Sequence, residues 1–598
     1  MKNILFTSIS LLLLLLFTSC VDTLDRYPLD KVSPETYYSN EAELQAATNH
    51  FYGLFPGASS GYGESMDIVS VFNLPSEVKG TRTIPTSGGG WDWGYLRSIN
   101  FYLAHSSQCA NTTIRNQYDG LAHFFRAYFY FEKVKRFGDV PWYEKVLNAS
   151  DEDMTKPRDS RDFVMNKVME DIDFAIENLS SENNLYRVTK WTALALKSRI
   201  CLFEGTFRKY HGLKDSNLYL SKCIEASLDF MNHSSYTIYK SGNEPYRALF
   251  SSMNAISQEV ILARDYDKGK SVMHEANYNT MAPTYGRPGM NKKIVDSYLM
   301  RDGSRFTDIP DYQHKTYYEE MQNRDPRLTQ TVVGPGYKRI NSTVVESPAF
   351  ESSTTGYQII KWVTDKSGDG YLGSSNDYIL FRTAEVYLNY AEAKAEKGDI
   401  TQNDLDISIK KIRDRVQMPN INLTEANAHP DPYLTASETG YQHVSGPNKG
   451  IILEIRRERT IELMLEGFRY YDIIRWKEGK MFEQPYKGIY FPHLKRGSGN
   501  NKYDIIDMND GVVGDAAKVD ICIYTGEKPS GDDVKNITKF YKLGNEFKLN
   551  NGMEGNIIVH DILEEPRKWR DERDYFYPIP TQEISLSNGN LVQNPNWE

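Results

Sequence analysis

Cysteine is scarce. The chain carries five, Cys20, Cys109, Cys201, Cys223 and Cys522, in 598 residues. They are too widely spaced to form a disulfide scaffold, and a chain this long can bury its own core without one. One bridge is possible and none is required. Cationic excess is lacking too: the formal net charge is −10, which fits neither a basic nucleic-acid footprint nor a polybasic membrane surface. Beyond the first twenty residues no apolar run approaches the ~20 residues of a membrane-spanning helix. There is no metalloprotease helix motif, no phosphate-cradling glycine loop and no nucleophile elbow. Rings are abundant. With 41 tyrosines and 8 tryptophans against a mean hydropathy of −0.56, the chain is polar and either packs with amphipathic rings or stacks ligands on them.

The first residues point to a compartment. Lys2 precedes an apolar run, Ile9 to Phe17, within the ~7–15 residues of an export signal and too short to span a bilayer. Phe17-Thr18-Ser19-Cys20 then resembles a bacterial lipoprotein cleavage box, with phenylalanine where leucine is commonest. Residues 1–19 are expected to be removed and Cys20 to be diacylated. Each buried CH₂ contributes about 0.8 kcal/mol, so several acyl chains anchor stably where one does not. Loss of Lys2 leaves −11 on the mature side chains. The expectation is a tethered body lying on a membrane.

Apolar residues at three- and four-residue spacing predict helices at Tyr118–Phe137, Asp162–Leu179, Trp191–Phe207, Leu218–Met231, Tyr378–Lys397 and Asn403–Val416. A long helix is predicted over Lys449–Glu478. The first ends at Gly138 and Pro141; the fifth and sixth hinge at Gly398-Asp399. Repeated helix pairs of this length read as tetratricopeptide-like units. The fold class is therefore mainly α, with long loop-rich insertions and a few short β-strands. The loops are Gly53–Gly94, Asp265–Gly373 and Gly479–Glu598, where Gly, Pro, Asn, Asp and Ser concentrate.

Six segments recur in the order found in one known family. They are 91–100 (WDWGYLRSIN), 126–142 (RAYFYFEKVKRFGDVPW), 190–205 (KWTALALKSRICLFEG), 379–394 (ILFRTAEVYLNYAEAK), 456–476 (RRERTIELMLEGFRYYDIIRW) and 575–597 (YFYPIPTQEISLSNGNLVQNPNW). With the cleavage box and Pro34–Tyr38, the chain resembles the SusD/RagB family over its mature length. The resemblance implies a single domain, 20–598: a helical part at 20–250 with site loops, a variable loop region at 251–375, a helical part at 376–480 and a loop-rich close at 481–598. It implies an outer-membrane, surface-exposed lipoprotein that captures a glycan without breaking a bond. The implied partner is a SusC-like TonB-dependent transporter; no cofactor and no nucleic acid are implied. RagB-type relatives handle peptides, so the ligand class stays open, and a surface-anchored hydrolase is the reading from another class.

Candidate site residues come from two stretches. Trp91, Trp93 and Tyr95 follow Gly88-Gly89-Gly90, and an indole face suits the C–H face of a pyranose while nearby polar groups bond its hydroxyls. Trp91, Arg82, Asp67 and Asn73 fall where starch-binding relatives carry a stacking tryptophan and its polar neighbours; Trp91 and Tyr95 can equally anchor the helix that begins there. In the strip Tyr278–Arg287, Tyr285 can stack and Arg287 can bond hydroxyls or a carboxylated sugar, although Pro283 and Pro288 also describe a packing turn. Glu458, Glu462 and Glu466 stand one turn apart among Arg456, Arg457 and Arg459, the pattern of a helix neutralising its own charges and not of a glycosidase pair facing across a cleft. Asp365, Ser367, Asp369 and Gly370 begin like a calcium loop, but Asn376 stands where a bidentate glutamate belongs. No metal is expected.

Overall fold

A computed structural model describes residues 37–64, 66–148, 150–509 and 520–597; the expected leader and Cys20 lie outside the described residues. Helix ends follow local chemistry. Asn111 accepts from the Thr113 and Ile114 N–H groups and opens α1 (Thr112–Phe137), which Gly138 closes at φ 75°, a conformation glycine adopts without a Cβ clash. Ser160 caps α2 (Arg161–Asn178), and Gly212 ends α3 (Lys190–His211) in the left-handed region. α4 spans Ser216–His233. Leu121, Phe124, Phe125, Tyr128, Phe131 and Val134 form the buried stripe of α1, as their spacing requires. α1 packs on α2, and α3 on α4; α5 (Thr383–Lys397) lies against α3, α4 and α6 (Lys449–Leu463). Two short helices, Gln402–Ile407 and Ile409–Asp414, follow α5, and α7 (Arg469–Arg475) follows α6. The result is the mainly α, tetratricopeptide-like scaffold read from the sequence. Cys109, Cys201, Cys223 and Cys522 are buried and unpaired.

Three boundaries differ from the periodic pattern. Tyr378–Arg382 is not helical: it forms strand β2, antiparallel to β1 (Val260–Arg264), a role suited to its β-branched and aromatic run. The helix predicted over Lys449–Glu478 is two helices. Between them Leu465 and Gly467 take φ values of 60° and 84°, which turns Glu466 back toward Arg382 and Lys361. The 403–416 helix breaks at Ser408, whose hydroxyl donates to the Asp404 carbonyl at 2.5 Å. The loop regions also hold more strand than their composition signals. Four short strands between Arg496 and Lys542 form one sheet, and Tyr486–Phe491 pairs with Gly555–Val559 in another.

The charges of α6 from Glu454 onward are buried, and each meets a partner. Glu462 Oε1 accepts from Arg382 and Arg415 at 2.7 Å each, and its Oε2 from Arg327 at 3.0 Å. Glu458 bonds Arg327 at 2.6 Å and Arg413 at 2.8 Å, and Glu466 bonds Arg382 and Lys361 at 2.7 Å each. Arg415 and Arg382 also reach Glu259 at the start of β1, at 2.6 and 3.1 Å. Burial alone would raise the pKa of Glu462; Arg415, Arg382 and Arg327 overcome it and hold the carboxyl far below the ordinary range. These carboxylates are structural, as their spacing suggests. Glu462→Ala leaves Arg382, Arg415 and Arg327 converging in the interior with their shared carboxylate gone and only Glu259, Glu466, Glu458 and Asp325 to balance them, and chemical denaturation is expected to lose about 3–5 kcal/mol; a loss below ~1 kcal/mol would contradict this account.

Candidate functional site: a tyrosine platform beside a charged cleft

Three tyrosine rings meet on the loop surface. Tyr278 belongs to the short helix Ala276–Met281, Tyr285 to the strip that follows, and Tyr371 to the turn after Gly370. The Tyr278 ring lies 5.0 Å from Tyr285, tilted by 35°, and 5.9 Å from Tyr371, near perpendicular. Tyr285 is 43 % exposed and Tyr371 68 %, so both have faces in water. The Tyr285 hydroxyl donates to Glu275 at 2.8 Å, which fixes the ring. A fourth ring joins from a distant segment: the Phe72 N–H donates to the Gly286 carbonyl at 3.1 Å, and the Arg287 guanidinium lies 5.8 Å from the Phe72 ring. Phe72 is 59 % exposed and Asn73 beside it is exposed. The fold thus brings Asn73, Tyr285 and Arg287 together. Arg287 and Leu372 hold left-handed backbone, φ 51° and 50°, a conformation costing a non-glycine residue about 1–2 kcal/mol. Arg287 is secured by donating to the Phe350 carbonyl at 2.9 Å.

The turn that presents Tyr371 is built by buried polar groups. Asn277 donates to the Asp365 carbonyl at 2.8 Å and to Asp369 at 3.1 Å, and the His274 and Ser374 backbones pair at 2.8 and 3.1 Å. Asp365 accepts from the Ser367 N–H and hydroxyl, at 3.0 and 2.6 Å, and Asp369 pairs with Arg339 at 2.5 Å. The calcium-loop acids are therefore occupied by protein donors, and Asn376 is buried, donating to the Phe250 and Trp362 carbonyls. Beside the platform a cleft of about 490 Å³ opens. It shares Met281, Pro283, Lys366 and Asp369 with the segments that carry the rings, and adds Arg339, Lys539, Glu346 and Glu351. Rings next to polar groups of both signs can stack a sugar face and bond its hydroxyls. Tyr371 and Phe72 went unflagged in the sequence, although Gly370-Tyr371-Leu372-Gly373 places two large apolar residues between glycines, a pattern that marks an exposed tip.

Residues 258–597, more than half of the chain, match the model of the SusD family. The chain belongs to that family. Residues 91–202 match a second model, described as starch-binding and associating with the outer membrane. A SusD-like protein, P38, of Formosa agariphila is 22 % identical over 528 residues, covering 82 % of this chain and 94 % of its own. Among solved structures, a SusD-like carbohydrate-binding protein of Bacteroides fragilis superimposes with a TM-score of 0.64 at 20 % identity, covering 92 % of this chain and 99 % of its own. A crystal structure described with a xylogluco-oligosaccharide has a TM-score of 0.54 at 16 % identity, covering 92 % and 96 %. At these identities the solved structures share the SusD fold with this chain.

The other N-terminal candidates are packed into the interior of this SusD-family fold. Trp91 is 6 % exposed and packs edge-on against Phe137 and Trp93, at 4.9 and 5.4 Å. Trp93 is partly buried against Phe129 and Tyr143, both at 5.6 Å, and Tyr95 stacks on His50 at 4.8 Å. Their place in the structure is that of anchors for the helix Gly94–His105. Arg82 is buried among Tyr577, Trp597 and Trp569, at 4.6, 5.5 and 5.7 Å from the rings, and pairs with Asp574 at 3.2 Å. Asp67 is enclosed by Arg469 and Lys293, at 2.7 and 2.8 Å; burial opposes its ionisation, and the two cations overcome it and hold the carboxyl below the usual range. In this structure Trp91, Arg82 and Asp67 therefore spend their groups on the interior and not on a ligand face.

Glu64 forms no ion pair among the described residues, and the field of Arg469 does not offset its burial. Its Oε1 accepts the Arg469 N–H at 2.9 Å, its Oε2 is buried without a partner, and burial pushes the carboxyl up to about 7. The folded chain therefore binds this proton more tightly than the unfolded one. The associated stability is complete below the unfolded value of 4.5 and is lost as pH rises through about 7. Glu64→Gln keeps the acceptor and removes the charge. It is expected to stabilise the fold at pH 8 by up to about 3 kcal/mol and to change little at pH 4. Thermal scans at both pH values check this; equal shifts at both would refute it.

Proposed function

We propose that this chain is a non-enzymatic nutrient-binding lipoprotein of the outer membrane, anchored through Cys20. It captures a glycan on the platform of Tyr278, Tyr285 and Tyr371 and delivers it to a SusC-like TonB-dependent transporter. The observation that carries the reading is the cluster of exposed rings beside a charged cleft. Large exposed apolar rings cost solubility unless something covers them, and here two left-handed residues, Arg287 and Leu372, flank them. Asn73, Arg287, Lys366 and Glu275 supply hydroxyl partners within the same region, and Trp93 remains a packing ring. The descriptions attached to the matched family model and to the Bacteroides fragilis structure support carbohydrate as the ligand class. Binding without catalysis fits the state of the α6 carboxylates, which arginines already saturate.

Calorimetry of residues 21–598 against polysaccharides, oligosaccharides and peptides tests the reading. Tyr371→Ala and Tyr285→Ala are each expected to weaken glycan binding more than about tenfold, ~1.4 kcal/mol, at unchanged thermal stability. Trp91→Ala is expected to do the reverse: stability falls by about 3–5 kcal/mol, as for a buried tryptophan, while the folded fraction binds normally. Peptide binding without glycan binding would overturn the ligand class; full affinity in both tyrosine variants would overturn the site.

A further inference from the structure

A second cleft of about 530 Å³ opens on segments that contribute nothing to the tyrosine platform. Its size lies within the ~300–1,000 Å³ of small-molecule sites. One wall carries Tyr312 and Tyr433, whose rings stand 6.4 Å apart at 81°. Tyr490, on the strand Tyr486–Phe491, stands 5.2 Å from the His314 ring. All four rings line the cleft. Tyr433 is fixed by donating its hydroxyl proton to the Lys293 carbonyl at 3.1 Å. The rim beside Tyr490 is amide-rich, Asn556 being its cross-strand partner. Asn550 accepts the Asn556 N–H at 2.9 Å with its carbonyl oxygen, and Asn556 donates its NH₂ to the Gly488 carbonyl at 3.1 Å. One amide is therefore left with a donor for the cleft and the other with an acceptor.

The floor is charged and already balanced. Asp296, 6 % exposed, lines the cleft with one oxygen held by Lys292 at 3.1 Å, which leaves the second to accept. Lys292 is shared with Glu320 at 2.7 Å, and Lys293 is spent on Asp67 at 2.8 Å. Rings, free amide groups and a buried carboxylate in one lining are the complement of a sugar: faces to stack and hydroxyls that both donate and accept. Lys292 and Lys293 have anionic partners, and the third lysine of the lining, Lys487, shares the cleft with Asp296 and Glu438, so no excess of positive charge favours a sulfate or a uronate.

We propose that this cleft is a second carbohydrate-binding site, taking a short stretch of a neutral polysaccharide. The inference rests on the glycan reading but not on the platform's own assignment. Two sites on one chain raise avidity for a long polymer and leave the affinity for a fragment that fills only one site unchanged.

The test uses the mature chain in affinity electrophoresis through xyloglucan, starch and galactomannan, with calorimetry on short fragments of whichever is bound. The variants are Tyr490→Ala, Asn550→Ala and Tyr371→Ala, alone and combined. Asn550 is exposed at the rim, so its loss separates binding from folding should Tyr490→Ala prove unstable. The cleft variants are expected to weaken polysaccharide binding at least fivefold and leave fragment binding at the platform unchanged. Tyr371→Ala is expected to retain residual polymer binding that the combined variant loses. Unchanged polymer binding in both cleft variants overturns the inference. If only the cleft variants matter, the inference stands and the platform assignment falls; if no glycan binds the parent chain, both fall.

Discussion

The loop region that carries the rings is fastened to the helical scaffold by a network of buried charge set among apolar contacts such as Trp362 with Leu465. Arg382 ends β2, Arg327 lies in the loop region, Arg415 follows the 409–414 helix, and all three converge on Glu462 of α6. Taking such ions out of water costs several kcal/mol each, recovered only when geometry is close and no lone pair is left over. Arginine suits the task because its planar fork bonds two acceptors at once: Arg382 holds both Glu466 oxygens and the Glu462 carbonyl. The arrangement is unforgiving. An apolar contact of the same area would tolerate sliding between the two parts, whereas a charge network loses its compensation when a partner shifts by an ångström or two.

That rigidity matters for a shallow site. The platform rings are anchored by a few polar bonds, Tyr285 to Glu275, Asn277 to the 365–369 turn and Arg287 to the Phe350 carbonyl, so their mutual geometry is set before any ligand arrives. A flat ring face has little shape with which to trap a ligand. Pre-organisation is what keeps binding from also having to order the loops. Left-handed backbone at Arg287 and Leu372 is affordable because the surrounding turn over-determines both positions.

How much of this was legible in the sequence follows from the range of the forces involved. The stripes of α1 and of the helices paired with it were readable because burial of one face imprints a 3.6-residue period on the chain itself. The start of α5 and the break after Leu463 were not, because they depend on where Arg382 finds Glu259 and Glu466, across 123 and 84 residues of separation. The charge alternation of α6 did announce its structural role. The site was legible only in part. Tyr285 and Arg287 stood out between prolines, and Asn73 came from family position. Tyr371 joins Tyr278 only through the fold, and a tryptophan after three glycines has the same local signature whether it faces water or, as Trp91 does, the core.

A stacked ring contributes about 0.5–1.5 kcal/mol beyond its area, so a platform of three rings with exposed hydroxyl partners yields a modest affinity for any single stretch of sugar. On the glycan reading that is an advantage. A protein that hands its ligand on must release it, and affinity differences between related sites reside mostly in the dissociation rate. A deep pocket would hold a fragment for long times and compete with the next binding step. Shallow contacts spread along a polymer hold the chain as a whole, because one contact re-forms while another is open, yet each lets go quickly once the polymer is shortened. On that reading, retention depends on ligand length more than on the chemistry of any one contact.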